Sequence, residues 1–197
     1  MKRRKFLVGT GLSATAGVGL IGTGAFSQVE SERNLTIGLA KDPKAYLGLD
    51  VADTPNGEYG YVDDNGRLRI AMSDENPSAA SSPMGLGVNS DATSWFQNVF
   101  TVCNQGTKEA SVYVQDDEDW PTVPLGEGYP EEGKRRLDFH LEEHRQQSIL
   151  GEQNAVTLIE GSCAMISVTI RAHSLSEGDQ VLAEIDNQVT INANSFD

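Results

Sequence analysis

From about residue 35 onward, apolar and polar residues alternate in short runs that stop at Gly, Pro, Asn or Asp. A two-residue period puts one side of each run against a core and the other in water, which is the pattern of strands and not of helices. Leu35, Ile37 and Leu39 form the first run, and residues 45–51 the second. Residues 58–62 and 67–72 flank Asp63-Asp64-Asn65-Gly66, where Asn-Gly adopts the positive backbone angles of a tight hairpin turn. Residues 95–103 and 109–115 read as a second pair joined by Asn104-Gln105-Gly106-Thr107-Lys108, with Phe100 and Val102 facing inward beside Val112 and Val114. Runs at 136–141, 155–159, 163–171 and 180–192, the last bending near Asp186-Asn187, bring the total to nine or ten strands. Residues 73–94 and 116–133 are polar and rich in turn residues, so they read as surface loops. So many antiparallel strands bury one face each in a two-sheet sandwich of Greek-key or jelly-roll type.

Residues 1–27 stand apart. A basic start (Lys2, Arg3, Arg4, Lys5) leads into an uncharged stretch that ends at Ala25-Phe26-Ser27, where small residues at Ala25 and Ser27 suit cleavage. Arg3 and Arg4, followed by Lys5, Phe6 and Leu7, resemble the twin-arginine signal, whose carrier exports folded proteins. Six glycines between Gly9 and Gly24 dilute the apolarity that a permanent bilayer span needs. The expectation is a signal peptide over 1–27 and a single acidic sandwich domain over 28–197, placed at the cell surface or outside the cell; the alternative is an uncleaved N-terminal anchor, the one route by which a membrane would be touched.

Charge narrows the function. The 197 residues carry 15 Lys+Arg against 29 Asp+Glu, and loss of residues 1–27 removes four basic groups and no acidic ones, for a mature net charge of -18. A protein that clamps nucleic-acid phosphates is excluded on that balance. The acidic residues fall in small groups (Asp63-Asp64, Asp74-Glu75, Asp116 to Asp119, Glu131-Glu132, Glu142-Glu143), as in a solvated shell that keeps a protein soluble in strong salt.

Catalytic and metal-binding patterns are sparse. His140-Leu141-Glu142-Glu143-His144 matches the H-x-x-E-H pattern of one zinc-protease class. That pattern needs a helix, whereas Leu137, Phe139 and Leu141 alternate with polar residues as in a strand, where four residues span about 13 Å. His140 and His144 therefore read as solvent-facing residues near a strand end, and His173 as a surface or turn residue. The acidic run Asp116-Asp117-Glu118-Asp119 lacks the spacing that wraps calcium. Gly-x-Ser-x-Gly, phosphate-loop and Cys-x-x-Cys motifs are missing, and neither an enzymatic activity, a metal nor a cofactor is expected.

Cys103 and Cys163 both fall in the outward phase of their strands, opposite in phase to Phe100 and Val102 and to Ala164, Ile166, Val168 and Ile170. An oxidising exterior favours a disulfide between them, and two unpaired thiols at strand ends stand as the alternative. Asn34-Leu35-Thr36 is a candidate glycosylation sequon.

Three stretches together carry a family resemblance: Gly24-Ala25-Phe26-Ser27 leading into Glu32-Arg33-Asn34-Leu35-Thr36-Ile37; Gly87-Val88-Asn89 before Val99-Phe100-Thr101-Val102; and Asn104-Gln105-Gly106-Thr107 before Val112-Tyr113-Val114. The chain resembles a little-characterised family of exported proteins of salt-loving archaea, distantly similar to the TasA and camelysin group and to archaeal bundling pilins, the β-sandwich subunits of extracellular fibres. Cys103 stands where such a strand more often has Thr or Ser. The resemblance implies that an N-terminal strand, here within 28–40 and carrying Leu35, Ile37 and Leu39, inserts into a neighbouring subunit's sheet; a glycan on Asn34 would crowd it. The alternative is that this strand pairs within its own molecule. The expected function is a non-enzymatic surface, biofilm-matrix or filament subunit whose partners are copies of itself or related subunits. A secreted module that binds a glycan, metal or protein on loops 73–94 and 116–133 is the runner-up, and a hydrolase the third reading.

Overall fold

The computed structural model describes residues 36–41, 47–73, 76–79, 85, 87–142, 147–176, 181 and 188–195, all within one compact unit, Ser31–Asp197. They form ten strands: β1 Thr36–Lys41, β2 Leu47–Val51, β3 Gly60–Val62, β4 Leu68–Ala71, β5 Thr93–Asn104, β6 Ala110–Val114, β7 Leu137–Leu141, β8 Val156–Leu158, β9 Cys163–Arg171 and β10 Gln188–Ser195. The only helical pieces among the described residues are 3-10 turns at Pro55–Tyr59 and Glu152–Asn154. A six-stranded sheet runs β3-β4-β1-β10-β6-β8 and a four-stranded sheet runs β2-β5-β9-β7. The chain is all-β and sandwich-like, as the alternation predicts.

The core lies between the inward faces. Phe100 and Val102 of β5, Val112 and Val114 of β6, and Ala164, Ile166, Val168 and Ile170 of β9 are all buried. Phe100 meets Phe139 edge-on at 6.3 Å, and Trp120 lies tilted against Phe139 at 6.5 Å, an aromatic cluster that adds directional packing to the aliphatic core.

Several sequence expectations are corrected. β5 and β6 are not a hairpin pair: Asn104-Gln105-Gly106-Thr107-Lys108 carries the chain from one sheet to the other, and the two strands share only the core. Asn104 makes the crossing by donating from Nδ2 to the carbonyls of Lys108 (2.8 Å) and Leu158 (2.9 Å) while accepting the Gly106 N–H at 2.9 Å. Glu58 and Tyr59 belong to the 3-10 turn, not to a strand, because the Thr54 hydroxyl accepts the Gly57 N–H and Pro55 opens the turn.

The β3–β4 hairpin forms, but of its Asn-Gly pair only Gly66 has a positive φ (74°). Asp63 explains this. Its carboxylate accepts the N–H groups of Asn65 and Arg67, which fixes a turn that needs a left-handed residue at Gly66 alone. Nor are the two loops wholly superficial. Ser73, Asn76 and Val88 are buried in the first, whose last two residues belong to β5; Trp120 and Val123 of the second reach the interior. Tyr46 of the second run, residues 182–187 of the last one and the bend at Asp186-Asn187 lie outside the described residues.

Candidate functional site

β1 occupies an unusual place for a first strand. It runs antiparallel to β4 (Thr36↔Ala71 to Leu39↔Leu68) and parallel to β10 (Gly38↔Gln188 to Lys41↔Ile191). Among the described strands it alone joins the β3–β4 hairpin to the β10-β6-β8 half of the sheet. Ile37 stands at the register position of buried Ile70, and Leu39 between buried Leu68 and Val189. Taking β1 out would leave two facing strand edges, unpaired N–H and C=O groups on both, over an apolar floor. The single chain fills this slot with its own strand. Leu35 and Asn34, and the signal residues Arg3, Arg4, Phe6, Leu7, Ala25 and Ser27, lie outside the described residues.

A second cluster sits on the outward face of the four-stranded sheet. Arg171 of β9 lies 3.2 Å from Glu131 and 3.4 Å from Asp138 of β7. Partial burial pushes the Glu131 carboxyl up, but hydrogen bonds from Lys134 and Thr93 and the Arg171 guanidinium together outweigh it and hold the group at about 2. Asp138 also accepts the Ser148 hydroxyl at 2.7 Å.

His140 corrects the expectation of a solvent-facing residue: it is only 3% exposed. The chain returns along β7 through a bridge to Ser148, and a β5 bulge at Asn98 lays backbone onto Ser167, the residue paired with His140. Burial holds the His140 imidazole below its ordinary value of 6.5, against the opposing pull of Asp138. Its proposed zinc partner His144 lies outside the described residues, and no group of three His, Cys, Asp or Glu among those described could hold a metal ion.

His173 is also buried, in the turn after β9, and here the geometry approaches a catalytic one. Its Nε2 is 3.0 Å from the Thr93 hydroxyl and its Nδ1 3.7 Å from Asp91. The order carboxylate, imidazole, hydroxyl is that of a nucleophile relay. Thr93, however, gives its proton to Glu131 at 2.8 Å, so His173 Nε2 must donate to the Thr93 oxygen and has no free lone pair with which to act as base. The cluster is a structural clamp across β5, β9 and the 129–135 loop. No local motif announces it, because its members are dispersed over some 80 positions and meet only through sheet pairing.

The acidic run is likewise absorbed by structure: Asp116 pairs with Arg135 at 2.8 Å and Asp117 accepts the Asp119 N–H. Cys103 and Cys163 face each other directly in the β5–β9 ladder, with Cα atoms 4.0 Å apart, and are joined by a disulfide. Among the described residues no helix is long and apolar enough to cross a membrane.

These features define a two-sheet, all-β domain whose larger sheet is bridged by its first described strand, β1. Residues 47–195 match the family described as "Protein of unknown function (DUF1102)", and the chain belongs to that family. No curated protein and no solved structure matches it.

Proposed function

We propose that this protein is a non-enzymatic subunit of an extracellular or cell-surface filament or matrix, assembled when β1 of one copy enters the slot between β4 and β10 of the next. The observation that carries the reading is the division of labour along the chain. Among the described strands β1 alone joins the β3–β4 hairpin to the β10-β6-β8 half of the larger sheet, and it lies ahead of residues 47–195 that match the family. In backbone pairing a neighbour's copy of β1 would suit the slot between β4 and β10 as well as the chain's own. The resemblance to salt-loving archaeal exported proteins and to TasA, camelysin and bundling-pilin subunits supports the same reading. So do the twin-arginine pattern at Arg3 and Arg4 and the acidic shell.

Electron microscopy of the purified protein tests it. Ordered fibres that vanish on deletion of residues 28–40 are expected, together with capture of a synthetic peptide of residues 28–41 by the deleted chain. Single copies whose behaviour the deletion leaves unchanged, with no peptide capture, would overturn the reading.

One observation favours the runner-up, a binding module. The Glu132 carboxylate accepts the N–H groups of Gly126, Gly128 and Tyr129 and so fixes a loop that holds Leu125 76% exposed. A partner that uses this loop would be lost on Leu125→Ser with fibres intact.

A further inference from the structure

The ends of both sheets present strand edges, and an open edge is a template for pairing with another chain. In the six-stranded sheet the outer strands β3 and β8 have three residues each, too short for a stable added ladder. The four-stranded sheet is different, since its outer strands β2 and β7 each have five residues. β7 is covered: Leu141 N–H donates to Gln147 O at 3.1 Å, Phe139 O accepts from Ile149 at 2.8 Å, and Phe139 N–H is taken by the Asp138 carboxylate at 2.9 Å.

β2 carries no such cover among the described residues. Ala52 N–H donates to Val99 O across the ladder. By the alternation of an antiparallel pair, the N–H groups of Leu49 and Val51 point the other way, toward the free edge. There the Asp50 carboxylate folds over the backbone and accepts the Val51 N–H at 2.8 Å.

We propose that Asp50 closes the β2 edge to the matching edge of a second copy of this chain. Its carboxylate satisfies the Val51 donor that the incoming strand would need. With the three other edges short or covered, growth is confined to the β1 slot and the product is an unbranched thread, and in that respect the inference rests on the filament reading above.

Three forms of the protein, as recovered from the producing cell, test the guard: the parent, D50V and D50N. Asp50 is exposed, so neither change disturbs the core. D50V removes the acceptor, whereas D50N removes the charge and keeps an oxygen at the same position. D50V is expected to convert single copies into concentration-dependent dimers, or single fibres into side-by-side bundles. The exchange of the Leu49 and Val51 amides should slow by about tenfold or more. D50N is expected to behave as the parent does. Association equal in D50N and D50V would show that net charge and not the hydrogen bond is responsible, and unchanged association and exchange in D50V would show that the edge needs no guard; either overturns the proposal. Absence of fibres from all three forms refutes the filament reading alone, because dimerisation and amide exchange still report on the edge.

Discussion

Glu131 and His140 are among the side chains that tie this fold to proton concentration. Glu131 is held at about 2 against an ordinary 4.5, so the unfolded chain binds its proton first. Its contribution is complete above pH 4.5 and is lost as the pH falls toward 2. His140 is held below its ordinary 6.5 by burial, so the unfolded chain again binds the proton more readily and stability falls as the pH drops below 6.5. Urea midpoints measured from pH 8 to pH 3 should therefore decline in two stages. Glu131→Gln is expected to make the lower stage shallower, with Asp63 and Glu132, lowered by the hydrogen bonds they accept, supplying the rest, and His140→Phe to flatten the upper one. A third residue, Asn104, matters through backbone accounting: Asn104→Ala strands the buried Leu158 carbonyl and frees the crossing turn, at a cost of about 3 kcal/mol in equilibrium unfolding.

At the level of strands, the disulfide closes a loop of 60 residues between adjacent strands of the smaller sheet. The Cys103→Ser, Cys163→Ser double variant is expected to lose about 4 kcal/mol in the chain-entropy account, read as a lower urea midpoint with the strand circular-dichroism signal retained. Strands were the legible part of this sequence. β9 runs from Cys163 to Arg171, the same bounds as its alternating run. Sheet membership was not legible. The short 104–108 connection has the composition of a hairpin turn, and only the bonds of Asn104 to Leu158, far away in sequence, turn it into a crossing. The outward face of the smaller sheet misled for a similar reason: alternation says which residues leave the core, but not that another segment lies over them, as happens at His140 and Ser167. Most of the Glu131, Arg171 and His173 clamp was invisible for want of any spacing rule.

For the whole molecule, the export reading makes a separate prediction. Replacing Arg3 and Arg4 by Lys preserves charge while removing the guanidinium pair, and is expected to retain the protein inside the producing cell, as scored by fractionation and immunoblot. Equal recovery outside the cell would contradict it. The parallel pairing of Gly38 with Gln188 has a consequence in time. A contact between residues about 150 positions apart cannot form until Gln188 has been synthesised, and it carries the loop-closure cost that makes such topologies slow to fold. During that interval the opening segment has one flank satisfied at most. Whatever chaperone, carrier or sister molecule it meets first competes with the closing segment of its own chain, so the order of encounter, and not affinity alone, decides its resting place.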